Sequence, residues 1–210
     1  MADDPATVLP QTKTALETLE LYGLLLESDP KLPSVAALVA GEPIKGSWWA
    51  HALGHTIFGV NRELAAHPDV LVCKLVSGKV TWVHRRLWPA VVAVGSAREP
   101  WQLDGLGREA RALLNRVTQQ SRFETSGDAA RELETMLLVF SEQVHTEKGS
   151  HAKILETWAA WARRVRLTDK FPAPEQGRKE LEQALAALNR RFGGKGRLPW
   201  PGSGARVRAW

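Results

Sequence analysis

Apolar residues recur at helical spacing over most of this chain. In the first third, this spacing predicts an amphipathic helix over residues 12–27 and a longer helix over residues 48–66. Between them, Ser34 as an N-cap and Gly41 as a terminating glycine predict a short helix over residues 35–40. After Pro100 the same spacing predicts helices over four ranges, 106–120, 128–146, 151–167 and 174–192.

The pattern changes to that of β-strands between residues 70 and 84. β-branched residues are frequent in residues 70–76 and 79–84, and Ser77-Gly78 between them is a two-residue hairpin signal. Alternation along the second strand sends successive side chains to opposite faces, so that one face is expected to pack and the other to meet phosphate. A further helix is predicted to start at Trp88-Pro89.

This order of elements predicts a fold that is mainly α with one β-hairpin. Three helices, a hairpin and a helix are typical of a winged helix-turn-helix, and equally of a small α+β domain that binds nothing. We predict a winged-helix-like N-terminal domain over residues 1–98 and a C-terminal helical domain over residues 99–192. Residues 193–210 are rich in Gly, Pro, Arg and Trp, which predicts an extended basic tail, either free or docked by its tryptophans.

Composition narrows the functional class. The chain of 210 residues is 44% hydrophobic and 24% charged, which is ordinary for a folded protein in water. Cys73 is the only cysteine, so an intramolecular disulfide is excluded and a reducing compartment is favoured. No apolar run approaches the roughly 20 residues of a membrane span. Asp3 and Asp4 near the start do not fit a secretory signal, so we expect a cytoplasmic protein that does not enter membranes.

The net charge of +5 is distributed unevenly. Residues 190–210 contain six basic side chains and no acidic one, and residues 44–88 contain six basic side chains against Glu63 and Asp69. Two local basic regions on a mildly acidic body favour a polyanion partner, and DNA is the expected one. Solvated charge without a partner is the alternative.

Aromatic and basic residues supply the candidates for nucleic-acid contact. Trp48 and Trp49 cannot share one helix face, so one is expected near the surface, where it can stack on a base or wedge into a distorted duplex. In the alternative, both tryptophans are core anchors. The predicted nucleic-acid-binding residues are Lys45, Trp48, Trp49, His51, His55, Asn61, Arg62, Lys74, Lys79, Arg85, Arg86, Lys195, Arg197, Arg206 and Arg208.

The sequence signals for metal binding or catalysis are weaker than those for nucleic-acid binding. His51 and His55 have the spacing of metal ligands, with His84 as a conceivable third, but no zincin glutamate or second cysteine accompanies them. We therefore expect no metal and no cofactor. A polar cluster between two predicted helices, with a solvated turn as the alternative, supplies catalytic candidates for acid–base work or a Schiff base: His145, Glu147, His151 and Lys153.

The sequence therefore favours a DNA-binding protein with a winged helix. Processing or repair of distorted or damaged DNA is an extension of that hypothesis, with glycosylase/lyase chemistry if the protein is an enzyme. A dimeric winged-helix regulator is one alternative. A helical interaction protein whose basic tail binds an acidic partner or RNA is the other.

Overall fold

Residues 10–84 combine three α-helices with a three-stranded antiparallel sheet. This architecture is seen in a computed structural model, which describes residues 10–145, 151–167 and 170–202. Strand β3 lies in the middle of the sheet and pairs with β1 on one side and β2 on the other. The elements are α1 (Pro10–Tyr22), β1 (Leu24–Leu26), α2 (Val35–Ala40), α3 (Gly54–Ala66), β2 (Val70–Lys74) and β3 (Val80–His84).

The second half of the chain builds another three-stranded antiparallel sheet. Strand β6 is the central strand and pairs with β4 and β5. The elements are α4 (Trp88–Ser96), α5 (Pro100–Leu103), α6 (Arg108–Gln120), β4 (Arg122–Thr125), α7 (Asp128–Thr135), β5 (Phe140–His145), β6 (His151–Glu156), α8 (Trp158–Arg164) and α9 (Pro174–Phe192).

The two sheets are built on the same plan, although no repeat is visible in the sequence. In each, a helix of 13 residues ends at one residue with positive φ and leads directly into the first strand. That residue is Gly23 in the first half (φ 81°) and Ser121 in the second (φ 63°). In both sheets the third strand in chain order is central, and a helix follows it.

One apolar cluster joins both halves. It contains buried residues from β1, α4, α8 and α9, among them Leu24, Val91, Trp158 and Leu185. Helices α4 and α9 pack closely because Gly177 has no side chain: a Cβ there would lie 2.9 Å from the Ala90 carbonyl oxygen. None of the helices in the described ranges has the length and apolar character needed to cross a bilayer.

Several predicted elements are confirmed. The Ala37 N–H donates to Ser34 Oγ over 3.3 Å, and Gly41 ends α2 with φ 79°, as the capping residues predict. Helix α9 has its predicted bounds, α4 begins at Trp88, and β2 and β3 form the predicted hairpin. About 55% of the described residues are helical and 15% are in strands, so the fold is a mixture of helices and small sheets.

The predicted helix over residues 12–27 is too long. Helix α1 ends at Tyr22, and residues 24–26 form β1. The Arg86 guanidinium donates to the Glu20 and Leu21 carbonyl oxygens in the last turn of α1, and Gly23 then takes a left-handed conformation. A Cβ on Gly23 would lie 2.9 Å from both Arg86 and Leu87, so this position needs glycine for space as well as for φ.

The predicted C-terminal domain of helices only is wrong. Residues 140–145 and 151–156 form the antiparallel pair β5–β6 rather than parts of two long helices. Pairing with a distant partner decides this outcome, because β6 also pairs with β4, about 30 residues earlier in the chain. The structure therefore has two sheets where the sequence predicts one hairpin.

Candidate nucleic-acid interface

The C-terminal segment lies against the tip of the β2–β3 hairpin. The Ser77 N–H donates to the Arg197 carbonyl oxygen over 2.7 Å, and the Arg197 N–H donates to Ser77 Oγ over 3.2 Å. The Asn189 side chain on α9 holds the same segment, since its amide donates to the Gly196 carbonyl (3.0 Å) and its Oδ1 accepts from the Gly196 N–H (2.8 Å). Four hydrogen bonds thus fix residues 196 and 197.

Two glycines allow this close approach. A Cβ on Gly194 would lie 2.2 Å from Leu32 Cδ2, and one on Gly196 would lie 2.9 Å from carbons of Leu185, Leu32 and Val76. Trp200 completes the docking: it is 4% exposed, and its indole N–H donates to Glu182 over 2.6 Å. The alternative in which the tail docks by its tryptophans is the one observed for residues 193–202.

Docking brings the two basic regions of the sequence together. Lys195 and Arg197 are exposed next to the exposed hairpin tip of Ser77, Gly78 and Lys79. Two neighbouring segments add further cations. Lys31 precedes Leu32, which packs against Gly194 and Gly196, and Arg190 and Arg191 lie in the last turn of α9. We call the exposed cations on these segments the tip cluster: Lys31, Lys79, Arg190, Arg191, Lys195 and Arg197.

The cations of the hairpin that lie away from its tip form ion pairs or hydrogen bonds with other residues of the protein. Lys74 Nζ lies 2.9 Å from a Glu134 carboxylate oxygen, and Arg85 lies 3.5 Å from Asp69. Arg86 caps the carboxyl end of α1. Lys79 also has a partner, since it bonds Asp29 over 2.8 Å, but its side chain remains 43% exposed. Arg85 at the base is 46% exposed, so the tip differs from the base of the hairpin chiefly in the exposed Lys195 and Arg197 that are docked beside it.

Both faces of β3 are packed, so the expectation that one of them meets phosphate is wrong. Trp82 and Val83 are 3% and 0% exposed and belong to two different apolar clusters. The Thr81 hydroxyl is also buried, and it accepts the Val76 N–H over 3.1 Å to shape the tip. The reason is that a different apolar cluster packs against each face of the sheet, one containing Val83 and the other containing Trp82.

Helix α3 begins six residues later than predicted, at Gly54. Trp48–Ala50 forms a separate 3₁₀ turn, and His51 leaves it with extended backbone (ψ 147°). The His51 ring accepts the Leu53 N–H over 3.2 Å, a local bond that competes with a continuous helix. Gly54 then allows the turn to fold back, because a Cβ there would lie 3.1 Å from the Trp49 carbonyl oxygen.

The tryptophan pair is divided between core and surface. Trp48 is 6% exposed, whereas Trp49 is 62% exposed and stacks on Trp48 with ring centroids 4.1 Å apart. Phe58 on α3, 47% exposed, lies 5.5 Å from Trp49. Burial raises the pKa of Glu27, and the hydrogen bond that Trp48 donates to its carboxyl group only partly opposes this rise. The carboxyl group that holds the tryptophan turn is therefore a weaker acid than usual.

The outer face of α3 carries two of the predicted binding residues, His55 and Arg62, with the aromatic side chain of Phe58 between them. His55, Phe58 and Arg62 are exposed at positions that share one helix face. Asn61 is turned inward instead: it is 7% exposed, and its amide has no hydrogen-bond partner in the described structure. Lys45, in the loop before the tryptophan turn, is exposed as well.

Three histidines have local structural roles. The Nδ1 atoms of His51, His67 and His84 each accept the backbone N–H two residues ahead. Burial and the nearby Arg86 charge lower the pKa of His84, which favours the neutral ring that accepts this bond. No group of three metal-ligating side chains occurs within the described ranges.

The predicted catalytic cluster falls around the connection between β5 and β6. His145 and His151 are register partners there, but their side chains, and the whole of Glu147, lie outside the described residues. Lys153 is described, and its Nζ bonds Glu134 over 2.6 Å. Arg206 and Arg208 of the tail also lie outside the described residues.

No protein family, curated protein or solved structure matches this chain.

Proposed function

We propose that the protein binds nucleic acid, with duplex DNA as the expected form, through the tip cluster and the outer face of α3. The observation that carries the proposal is the docking of Arg197 on Ser77, which unites the basic tail and the basic hairpin. The five exposed cations of the tip cluster other than Lys79, which bonds Asp29, supply the phosphate contacts and counterion release on which such binding depends.

The order of elements supports a winged helix-turn-helix in residues 10–84. Helix, strand, two helices and a hairpin, with the last strand central, is the plan of such a domain. In this arrangement the third helix faces the major groove and the hairpin lies along the backbone. Here α3 offers Arg62 and His55 to the groove. Residues 41–53 differ from a short helix-turn-helix linker, because they contain the tryptophan turn.

The test compares two double variants that remove the same charge. Lys195→Ala with Arg197→Ala removes two cations of the tip cluster, and Arg108→Ala with Arg116→Ala removes two exposed cations of α6. Fluorescence anisotropy with a labelled duplex is followed from about 50 to 200 mM salt. We expect the tip variant to flatten the slope of log K against log salt by roughly 2, and the α6 variant to leave it unchanged. Equal slopes in both would contradict the proposal.

A second variant separates charge from position. Gly196→Val keeps every cation, but its side chain has no space against Leu185, Leu32 and Val76. If the docked position of the tail matters, this variant loses affinity although its net charge is unchanged. Thermal unfolding, measured in parallel, shows whether the body of the protein remains folded. Wild-type affinity in a folded Gly196→Val protein would mean that the tail acts without docking.

Recognition of distorted DNA is the extension that Trp49 supports. An exposed indole beside Phe58 offers a surface on which an unpaired base stacks, worth about 1–3 kcal/mol. We expect tighter binding to gapped or mismatched duplex than to intact duplex, and loss of that preference in Trp49→Ala. We do not extend the proposal to lyase chemistry, because Lys153 is engaged with Glu134.

Protein binding is the second candidate function, and one observation favours it. Trp49, Leu53 and Phe58 are large apolar side chains, 62%, 39% and 47% exposed, within ten residues of each other. Such a concentration is typical of a protein-interaction patch. If this patch binds a protein partner, Trp49→Ala reduces that binding whether or not DNA is present. The double variant Lys195→Ala with Arg197→Ala leaves the binding of the partner unchanged.

A further inference from the structure

A cleft lies between two loops next to the hairpin tip. Residues 28–30, which follow β1, form one part of its lining, and residues 43–46, which precede the tryptophan turn, form another. Lys79 of the hairpin tip completes the lining. The volume of the cleft is about 530 Å³, within the range of pockets that hold small organic ligands. The cleft therefore adjoins both the tip cluster and the tryptophan turn.

Cations outnumber carboxylates in this lining. Lys45 is exposed and forms no ion pair within the described ranges. Lys79 Nζ bonds Asp29 Oδ2 over 2.8 Å, which holds the lysine at the cleft. The other carboxylate oxygen, Asp29 Oδ1, accepts the N–H groups of Lys31 (2.9 Å) and Leu32 (2.8 Å). Both oxygens of the lining carboxylate are thus engaged, and Lys45 is left to attract an anion into a concave space, where its field is concentrated.

A chain of contacts leads from the cleft to Trp49. Glu27, which directly precedes Ser28 of the lining, accepts a hydrogen bond from the Trp48 side chain. Trp49 stacks on Trp48 and remains 62% exposed. Lys45 is four residues from Trp49, and four residues of chain span at most about 14 Å. Since a stacked strand rises about 3.4 Å per nucleotide, a phosphate at Lys45 and a base on Trp49 can belong to one strand.

We infer that the cleft holds a phosphate of an unpaired DNA strand, bonded by Lys45, while a base of the same strand stacks on Trp49. The choice of a DNA phosphate among anions rests on the proposed function. An unpaired strand is favoured because the bases of an intact duplex stack on each other and offer no free face to Trp49. Lys79 belongs to both the cleft and the tip cluster, so a duplex at the tip can continue into the cleft. The preferred ligand is therefore a duplex with a gap in one strand.

Removing the Lys45 charge tests the phosphate contact. Anisotropy titrations compare an intact duplex with a duplex that has a gap of a few nucleotides in one strand. We expect Lys45→Ala to weaken binding to the gapped duplex roughly tenfold, and binding to the intact duplex by no more than about twofold. Lys179→Ala is the matched control, because it removes an exposed lysine of α9 that lies outside the cleft and the tip cluster. It should leave both affinities within about twofold of wild type.

A change in the DNA tests the same contact from the other side. A neutral methylphosphonate replaces, in turn, each phosphate of the unpaired segment. We expect wild type to lose affinity at the linkage that occupies the cleft, and Lys45→Ala to lose nothing further there, because its contact is already absent. If the neutral linkages cost wild type and Lys45→Ala the same affinity, Lys45 does not contact the strand and the cleft inference is overturned.

The remaining outcomes separate the cleft from the proposed DNA interface. If Lys45→Ala weakens binding to intact and gapped duplex equally, the cleft inference is overturned and the interface is unaffected. If wild type binds neither DNA, but calorimetry detects binding of thymidine 5′-monophosphate that Lys45→Ala abolishes, the phosphate site is retained with a free nucleotide as its source. The proposed DNA interface is then overturned. Absence of binding to all three ligands overturns both proposals.

Discussion

Glu134 on α7 and Lys74 on β2 form an ion pair of 2.9 Å that ties the two sheets together. The carboxylate is 5% exposed, and Lys153 on β6 approaches its other oxygen to 2.6 Å. One buried acid thus holds two lysines, one from the hairpin of each half. Lys74 and Lys153, both candidates for function in the sequence, thus share one carboxylate partner in the structure.

Replacing Glu134 with Gln should destabilise the protein. The substitution leaves two half-buried lysines without a countercharge, and we expect the free energy of unfolding in urea to fall by about 3 kcal/mol at pH 7. Glu17→Gln is the matched control, since Glu17 and Lys13 form an exposed pair of 4.0 Å. That change should stay within about 0.5 kcal/mol. If both substitutions lower the free energy of unfolding equally, the buried ion pair stabilises the protein no more than the exposed one does.

The same pair predicts a dependence on pH. Burial by itself would raise the pKa of Glu134, but hydrogen bonds from Lys153, Lys74 and Ser141 outweigh it and hold the pKa below its ordinary value of 4.5. A lowered folded-state pKa means that the stabilisation is complete above about pH 4.5 and is lost as the pH falls through the lowered value. The stability difference between wild type and Glu134→Gln should therefore shrink below that pH in urea titrations.

Glu27→Gln should have the opposite effect. Because burial raises the pKa of Glu27, folding favours its protonated form, and this contribution is lost as the pH rises from 4.5 through the raised value. The neutral amide keeps an acceptor for Trp48, so the melting temperature at pH 7 should rise by roughly 2 °C. At pH 4 calorimetry should find little difference between the two proteins. A lower melting temperature at pH 7 would mean that the carboxylate itself stabilises the tryptophan turn.

Cys73 should react slowly in the native protein. Burial raises the pKa of its thiol to about 12, so the thiolate that attacks disulfide reagents is scarce at pH 8. We expect labelling by an aromatic disulfide to be at least roughly a hundredfold slower than in urea-unfolded protein. Labelling as fast as that of the unfolded chain would indicate that β2 opens readily at the edge of its sheet.

Local signals in the sequence were sufficient where a few neighbouring residues decide the structure. Ser34 and Gly41 define α2, and the apolar stripe of α9 defines that helix, because capping and helical periodicity are local properties. Strands β5 and β6 were missed because their pairing connects distant residues. Each contains apolar residues at spacings that also fit a helix, and only the partner strand decides between them.

The candidate interface divides in the same way. Composition alone identifies both basic regions, and geometry alone shows that Arg197 meets Ser77. A signal for this contact was present in Gly194 and Gly196, since alternating glycines often mark a close backbone approach, but in a terminal segment they also fit an extended tail. The ion partner of Lys74 leaves no trace in local sequence, because Glu134 lies on α7. Asp69 and Arg85, by contrast, flank the predicted hairpin, whose register places them opposite each other.

Removing hairpin cations should therefore weaken DNA binding less than removing tail cations. The hairpin variant, Lys79→Ala with Arg85→Ala, and the tail variant both lower the net charge by two, so a difference between them reports direct contact with phosphate. Lys79 and Arg85 already bond the carboxylates of Asp29 and Asp69, so we expect them to make fewer direct phosphate contacts than the tail cations. Lys195→Ala with Arg197→Ala removes cations for which the structure shows exposure on the same surface. Anisotropy titrations at about 50 mM salt should rank wild type, the hairpin variant and the tail variant in order of decreasing affinity. If the hairpin variant binds DNA more weakly than the tail variant, Lys79 and Arg85 exchange their carboxylate partners for phosphates in the complex. The hairpin, rather than the docked tail, would then form the principal contact with DNA.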